Sequence, residues 1–289
     1  MVTIAASQPD RLVARATTDR AMLRAFLEQD RIFAAYAICD LDDREFRRTR
    51  WGVALDGERP VAVAVEYGGL TPQPLFVMGR REGIAAILHD VIRPRAAYVA
   101  ARPDAIPAVA TAYTVDPGPI MVRMVVERAT FRPFPSGTAR LLPAEIGDLN
   151  RLYQLGFASW LPSSSIAEGV YYGIRVGGRL VAAAGTHVVS HEARLAVVGN
   201  VLTHAEYRGR GFAKATTGAV TAELLRTCDQ VVLNVRADNP PALAAYRRLG
   251  YREYARFEER LIHRLGSPLG GFAAPLRRLF TSNREPDRR

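Results

Sequence analysis

Arginine and glycine alternate at Arg208-Gly209-Arg210-Gly211, a pattern that suits the binding of an anion. Glycine has no Cβ, so the backbone can approach a ligand closely. The segment lies between an apolar strand and a helical pattern that starts at Gly211, and a helix N-terminus offers unpaired N–H groups and the positive end of its dipole. These residues predict a phosphate cradle, although an ordinary basic surface turn could have the same composition.

Asn239 and Tyr246 are a second pair of residues whose types and spacing could do chemistry. Pro240 follows Asn239 at the first position of a helical pattern, so Asn239 is predicted to be the helix N-cap. Tyr246 comes about two helical turns later and therefore projects from the same side of the helix. Its phenol could donate a proton, or it could be a packed aromatic beside Leu243 and Leu249.

Alternating strands and helices are needed to position these residues. The patterns predict a hairpin of 171–176 and 180–189, a strand over 193–203, a helix over 211–227, a strand over 230–235, a helix over 240–249 and an extended segment over 251–263. Gly199-Asn200 interrupts the apolar run of the 193–203 strand, which indicates either a functional bulge or a simple strand irregularity.

The order and spacing of these elements resemble the GNAT superfamily of N-acetyltransferases. Residues 208–213, Arg-Gly-Arg-Gly-Phe-Ala, fit the acetyl-CoA-binding pattern [Q/R]-x-x-G-x-[G/A] of that superfamily. The preceding strand and the downstream Asn-Pro-Pro helix match it in order and spacing, and the resemblance covers about residues 138–263. It implies acetyl-CoA as a co-substrate and an α+β fold with a mixed, mostly antiparallel sheet flanked by helices.

The resemblance also implies roles for individual residues. The cofactor-binding residues it implies are Val201, Leu202, Thr203, Arg208, Gly209, Arg210, Gly211, Phe212, Ala213 and Asn239. Tyr246 matches the general acid of many GNAT enzymes, and a phenol with a pKa near 10 suits the protonation of a thiolate. No general base is identified by a motif, so His187, Glu168 and His191-Glu192 are candidates, and removal of the proton through water is an alternative.

The N-terminal half repeats the same order of elements. Arg80-Arg81-Glu82-Gly83-Ile84-Ala85 repeats the arginine, glycine and alanine spacing of residues 208–213. This loop, however, follows Met78-Gly79 almost directly, without the long strand-to-helix approach of residues 202–207, and Glu82 places a negative charge where phosphates would lie. We therefore expect two tandem GNAT-like domains, the first degenerate: 1–130, a linker at 131–137, the acetyltransferase domain at 138–263, and a basic tail at 264–289.

Composition narrows the class of protein. The chain has 289 residues, 48% hydrophobic, and a formal charge of +10, but Lys214 is the sole lysine. A general excess of arginine spread along the chain favours a coding bias over a nucleic-acid surface, so no nucleic-acid partner is expected. Two distant cysteines argue against a disulfide framework or a metal site. Without a signal-peptide pattern or a long apolar run, we expect a cytoplasmic monomer or homodimer with no membrane contact.

The sequence thus predicts an acetyl-CoA-dependent N-acyltransferase whose C-terminal domain acetylates the amine of a small or amino-acid-like acceptor. The alternative is a non-catalytic acyl-CoA-binding regulatory protein. Tyr246 favours the enzyme, whereas the unidentified base and acceptor leave the regulator open.

Overall fold

The chain forms two units, and the first of them is built from both ends of the described sequence. The computed structural model describes residues 12–134, 137–155 and 160–266. Within these, the first unit contains 12–121 and 256–266, and the second contains the described residues from 122 to 255. The division differs from the predicted boundaries, which placed the break at 131–137 and residues up to 263 in the second domain.

The elements of the N-terminal part begin with a short strand that the hydrophobic pattern did not predict. In chain order they are β1 (Val13–Ala16), α1 (Arg20–Leu27), α2 (Ala35–Cys39), α3 (Asp43–Phe46), β2 (Thr49–Asp56), β3 (Arg59–Tyr67), β4 (Gln73–Gly79), α4 (Arg81–Asp90), β5 (Ala96–Ala101), α5 (Ile106–Ala110), β6 (Tyr113–Val115) and β7 (Ile120–Glu127). Single 3₁₀ turns occupy Glu28–Asp30 and Pro103–Ala105.

The C-terminal part continues with shorter connections. Its elements are β8 (Ala139–Arg140), α6 (Ile146–Tyr153), α7 (Ser163–Glu168), β9 (Tyr172–Val176), β10 (Arg179–Ser190), β11 (Leu195–Thr203), α8 (Phe212–Leu224), β12 (Gln230–Arg236), α9 (Pro240–Arg248) and β13 (Arg252–Arg264). Single 3₁₀ turns occupy Pro143–Glu145 and Ala205–Tyr207. The predicted linker is irregular where it is described, and the predicted tail beyond 266 lies outside the described residues.

In the first unit the strand order is β1-β2-β3-β4-β5-β13, and β6 also pairs with β13. All described pairings are antiparallel except β4–β5, which is parallel. Strand β13 supplies Glu258 to His263 to this sheet, opposite Ala101 to Ala96. A hydrophobic pattern shows that a segment is extended but not which sheet edge it joins, which is why the domain boundary was misplaced.

In the second unit the strand order is β8-β9-β10-β11-β12-β7. Strands β8 to β11 pair antiparallel, and β11 pairs parallel with β12. Residues of α6 pack with Tyr171, Ala183 and Leu202 on one face. Residues of α8 and α9 pack with Ala184 and Val198 on the other, because neighbouring strand residues point to opposite faces.

Helix α8 buries three threonines. Its fully buried residues include Thr216, Thr217 and Thr221, beside Ala215 and Val220. Two of the three hydroxyl groups make local bonds: Thr221 Oγ1 donates to the Thr217 carbonyl at 2.7 Å, and Thr216 Oγ1 donates to the Phe212 carbonyl at 3.1 Å. Among the described residues, no helix is both long and apolar enough to span a bilayer.

The return of β13 to the first unit yields a stability prediction. Ile262 is fully buried in the core of that unit, so Ile262→Ala should lower the free energy of unfolding by about 2–5 kcal/mol through lost burial and a cavity. Leu265→Ala is the control, since Leu265 is 51% exposed and should change stability by less than about 0.5 kcal/mol. Native-state hydrogen exchange should show lost protection in β5. Loss confined to β10–β12 would contradict this assignment.

Candidate active site

Strands β11 and β12 separate while both continue. Their parallel ladder runs from Leu195–Gln230 to Val198–Leu233 and ends there. Strand β11 then continues to Thr203 and β12 to Arg236. The separation coincides with the register shift between β10 and β11, opposite Ala184, and with a left-handed φ of 53° at Asn200. The irregularity predicted at Gly199-Asn200 is therefore present, and it opens one edge of β11.

The Thr203 hydroxyl lies at the end of this open stretch. Its Oγ1 is buried and has no hydrogen-bond partner. A buried hydroxyl without a partner costs free energy, so such atoms require an explanation. A polar ligand atom entering between the separated strands would supply the missing bond.

The loop after β11 has the backbone form of an anion cradle. Gly209 and Gly211 have φ values of 77° and 80°, the left-handed region that glycine tolerates best. A Cβ on either glycine would meet no protein atom within 4 Å, so the space beside both is open. Helix α8 starts at Phe212 with no side-chain cap, which leaves its first N–H groups for a ligand.

The backbone of this loop also determines which of its side chains are exposed. Arg208 and Arg210 are exposed, and the Arg210 guanidinium lies 5.1 Å from the centre of the Tyr207 ring. Phe212 and Ala213 form the first turn of α8 and are half-buried. The structure thus brings together residues 208–213 as a single exposed turn leading into a helix. Among the described residues, no group of His, Cys, Asp and Glu side chains is arranged to hold a metal ion.

Asn239 is the N-cap of α9, as predicted: its Oδ1 accepts a hydrogen bond from the Ala242 N–H at 3.2 Å. Tyr246 is 7% exposed and packs against Tyr251 with ring centres 6.1 Å apart. Burial raises the pKa of Tyr246 to about 12; the Thr217 hydroxyl opposes that shift but makes no hydrogen bond of normal geometry. The phenol therefore keeps its proton at neutral pH.

The implied pantetheine residues divide between the two faces of the sheet. Val201 packs against the cluster that contains Tyr246, whereas Leu202 packs with α6 on the opposite face. The end of β11 is thus in contact with the helices on both sides of the opening. This alternation follows from the two-residue period of a strand.

The two candidate bases lie in different surroundings. Glu168 is the exposed last residue of α7. His187 lies on β10, and its Nε2 is 3.3 Å from Asn200 Oδ1 at the β11 irregularity. Burial against protein atoms lowers the pKa of His187, and the Asn200 contact partly opposes this. The side chain is exposed on its outer side, so solvent limits the shift.

A hydrogen-bonded network at the irregularity was missed by the sequence analysis. The Tyr153 hydroxyl donates to the Asn200 carbonyl, the Tyr171 hydroxyl donates to the Thr186 carbonyl at 3.0 Å, and Asn200 Nδ2 donates to the Tyr171 hydroxyl at 3.0 Å. One signal could have indicated it: asparagine is among the few residues that adopt a left-handed φ readily. The aromatic partners carry no such signal, since they come from α6 and from the residue before β9.

The first unit contains an opening of its own, which the sequence analysis did not expect. The β4–β5 ladder ends at Phe76–Ala100, while β4 continues to Gly79. A cavity of about 740 Å³ lies beside it. Three arginines line this cavity, and two of them are held by carboxylates: Arg80 by Asp56 at 2.6 Å, and Arg102 by Asp30.

The turn before α4 nevertheless differs from the turn before α8. Gly79, with a φ of 117°, is the glycine of that turn, and Arg80 is extended at the N-cap. A Cβ on Gly79 would lie 2.3 Å from the Val61 carbonyl oxygen, so this glycine is needed for packing against β3. The open pair of left-handed glycines that precedes α8 has no equivalent there.

Two separating parallel strands, followed by a glycine turn into a helix, leave backbone groups for a ligand. The model of the acetyltransferase (GNAT) family matches residues 141–251. These residues of the second unit therefore form a domain of the GNAT acetyltransferase family, and the predicted enzyme class is confirmed at that level.

Solved structures support the fold over most of the chain. A GCN5-related N-acetyltransferase from Sphaerobacter thermophilus is 16% identical, with a TM-score of 0.60, covering 90% of this chain and 98% of that one. A tandem GNAT protein from the clavulanic acid biosynthesis pathway is 15% identical, with a TM-score of 0.53, covering 89% and 99%. A GCN5-related N-acetyltransferase from Kribbella flavida is 18% identical, with a TM-score of 0.52, covering 72% and 88%. The predicted fold class, with two tandem domains, is confirmed.

Such low identities support the fold alone. Comparison with curated proteins found no match to this sequence. The degeneracy predicted for the N-terminal half stays a prediction.

The buried Thr203 hydroxyl yields a prediction with an unusual sign. Thr203→Val replaces an unpartnered hydroxyl by a methyl group of similar size, so it should raise the free energy of unfolding by about 1 kcal/mol. Thr221→Val is the matched control: its hydroxyl bonds Tyr251 at 2.8 Å, so its loss should lower stability by about 1–3 kcal/mol. Urea unfolding measures both. Equal destabilisation by the two variants would show that Thr203 has a partner.

Proposed function

We propose that the protein is an acetyl-CoA-dependent N-acyltransferase, that its second unit catalyses the reaction, and that the acceptor is the amine of a small or amino-acid-like molecule. The observation that carries the proposal is the separation of β11 from β12, with the unpartnered Thr203 hydroxyl at its end. A parallel strand pair that opens while both strands continue leaves backbone groups for a ligand. The GNAT family model over residues 141–251 identifies the ligand class as acyl-CoA.

The residues of the cradle would bind the phosphates of acetyl-CoA. The open turn at Gly209 and Gly211 would let the backbone approach the pyrophosphate, and the α8 N-terminus would direct its first N–H groups at it. The exposed Arg208 and Arg210 add positive charge. Val201, Leu202 and Thr203 would line the pantetheine arm, with Asn239 near it at the start of α9.

Transfer needs a proton at the leaving sulfur. As the amine nitrogen bonds to the acetyl carbon, the carbon–sulfur bond breaks and the thiolate must take up a proton. Tyr246 would donate it, since its phenol stays protonated at neutral pH in its buried position. Val201, which is assigned to the pantetheine arm, packs against the same cluster as Tyr246, and this shared cluster supports the proposed role of Tyr246 as the acid.

We expect one acetyl-CoA per chain. The argument rests on the turn before the helix: two open left-handed glycines precede α8, whereas Gly79 is packed against β3 and Glu82 adds a negative charge to the first turn of α4. The separation of β4 from β5 would by itself leave room for a ligand. The number of acetyl-CoA molecules bound per chain therefore tests whether the turn before the helix, and not the separation of the strands, determines binding.

Gly211→Glu tests the cradle. The carboxylate would enter the phosphate site, so isothermal titration should show one equivalent of acetyl-CoA bound by the wild type and none by the variant. Gly177→Glu is the control, because Gly177 also has a left-handed φ, 56°, and open space, but lies at the β9–β10 turn. Both variants should lose about 1–2 kcal/mol of stability to backbone strain, and Gly177→Glu should keep its affinity.

Retained binding in Gly211→Glu would overturn the site. A second equivalent that disappears on Arg80→Glu would place a working site in the first unit. Gly83 is unsuitable for that test, since its Cβ would lie 2.8 Å from that of Ala62 inside the core. Thr203→Val should weaken binding while it stabilises the free protein.

Tyr246→Phe tests the acid. The variant loses only the transferable proton, so kcat should fall by about 10²–10⁴-fold with little change in acetyl-CoA affinity. Tyr251→Phe is the control: this neighbouring buried tyrosine bonds Thr221, so its loss should affect stability and not kcat. Free thiol released from acetyl-CoA in a screen of amine acceptors provides the assay.

An unchanged kcat in Tyr246→Phe would show that Tyr246 is a packing residue and not the general acid. Binding of acetyl-CoA without thiol release on any amine would favour the non-catalytic regulatory protein over the enzyme.

A further inference from the structure

Two glycines face each other across β10 and β11 at the point where β11 leaves β12. Gly185 and Gly199 are directly paired. A Cβ on Gly185 would lie 2.1 Å from the Tyr171 ring, and a Cβ on Gly199 would lie 2.1 Å from His187 Nε2. Because paired residues project to the same face, the Tyr171 and His187 rings lie on the same face of the sheet, the face on which Tyr171 packs with α6.

The hydrogen bonds between these residues have a fixed direction. The Tyr171 hydroxyl has one proton, which it donates to the Thr186 carbonyl, so its oxygen must accept from Asn200. Only the amide NH₂ of Asn200 can donate, and this leaves Oδ1 directed at His187 Nε2, 3.3 Å away. An amide oxygen can only accept, so Nε2 carries the proton of the neutral ring. The acceptor nitrogen of the imidazole is then Nδ1.

The surroundings favour the neutral imidazole. Burial lowers the pKa of His187 below its usual value, against the opposing effect of Asn200. The other titratable groups of the network are Tyr153 and Tyr171; burial raises the pKa of Tyr171 to about 12 and raises that of Tyr153 well above its usual value. Both phenols stay neutral below pH 9. A histidine with these neighbours is unprotonated, and able to accept a proton, at neutral pH.

His187 and Tyr246 lie on opposite sides of the opening. His187 is on the α6 face at Gly199, whereas Tyr246 packs with α8 and α9 on the other face. A thioester held between the separated strands would be accessible from both faces of the sheet. This arrangement assigns proton removal to one face and proton delivery to the other.

We propose that His187 is the general base of the acetyl transfer, and that Asn200 and Tyr171 position it with Nδ1 as the proton acceptor. The inference rests on the proposed function. As the amine nitrogen bonds to the acetyl carbon, its proton passes to His187 Nδ1. The carbon–sulfur bond breaks, and the thiolate takes its proton from Tyr246. His187 then loses a proton to solvent and Tyr246 regains one, which returns both groups to their starting state.

The tautomer can be tested without a known acceptor. Ring ¹⁵N–¹H spectra, with His187 identified by the signal that His187→Gln removes, should show Nε2–H and a pKa below 6.5. Saturating acetyl-CoA should shift this signal in the wild type and leave it unchanged in Gly211→Glu. A ring protonated at Nδ1 in the neutral state, or a signal unaffected by bound acetyl-CoA, would overturn the proposal.

The pH profile of kcat/KM, measured with the acceptor found by thiol release, tests the chemistry. His187→Gln should lower kcat by about 10²–10⁴-fold and remove the acidic limb of the profile. Asn200→Asp places a carboxylate beside the ring and should move that limb to higher pH, because an opposite charge favours the imidazolium. Tyr171→Phe should lower kcat with little change in KM, since Asn200 is then free to rotate. His89→Gln, at an exposed position on α4 of the first unit, is the control and should retain the wild-type profile.

The outcomes separate the two proposals. A wild type that acetylates an amine, together with a His187→Gln variant that keeps the acidic limb, overturns the base and leaves the proposed function standing. A wild type that binds no acetyl-CoA, or acetylates no amine, removes the proposed function and the base with it.

Discussion

The separation of β11 from β12 beyond Val198 is the constraint on which the rest of the second unit depends. Two parallel strands satisfy the hydrogen bonds of their facing backbone N–H and C=O groups only while they stay paired in register. Once the strands separate, the backbone groups on the free edge of β11 need another hydrogen-bond partner. The adjoining elements lie on both sides of this free edge. The Asn200 network holds one side of the irregularity, and the tyrosines of α9 and of the segment after it pack on the other.

The local polar bonds explain how such an opening is tolerated. Tyr153 satisfies the Asn200 carbonyl, and Asn200 in turn fixes its side chain between Tyr171 and His187. Among the residues described, three buried side-chain atoms lack a hydrogen bond: the Thr203 and Thr217 hydroxyl oxygens, both in this unit, and His263 Nε2 in the first unit. The unit therefore concentrates its unmet hydrogen bonding near one strand end and one helix, which is typical of a binding site and not of a folding defect.

Much of this could be predicted from the sequence, because it depends on local chemistry. A few neighbouring residues are enough to predict three features that the structure contains: the glycine turn before α8, the Asn239 cap and the interruption at Gly199-Asn200. Contacts between elements that are distant in the sequence could not be predicted. Nothing local indicates that Tyr171 lies over Gly185, that β13 joins β5, or that β4 parts from β5. These depend on which strands become neighbours, and hydrophobic periodicity carries no information on that choice.

The first unit's dependence on β13 has a consequence for biosynthesis. Its sheet lacks Glu258 to His263, and its core lacks Phe257 and Ile262, until nearly the whole described chain has been made. At ordinary translation rates of roughly 5–20 residues per second, the N-terminal strands would wait about ten seconds or more for their last partner. The later part of the chain therefore acquires all its own strands before the earlier part is complete, and an open β5 edge must be kept from pairing with other nascent chains in the meantime.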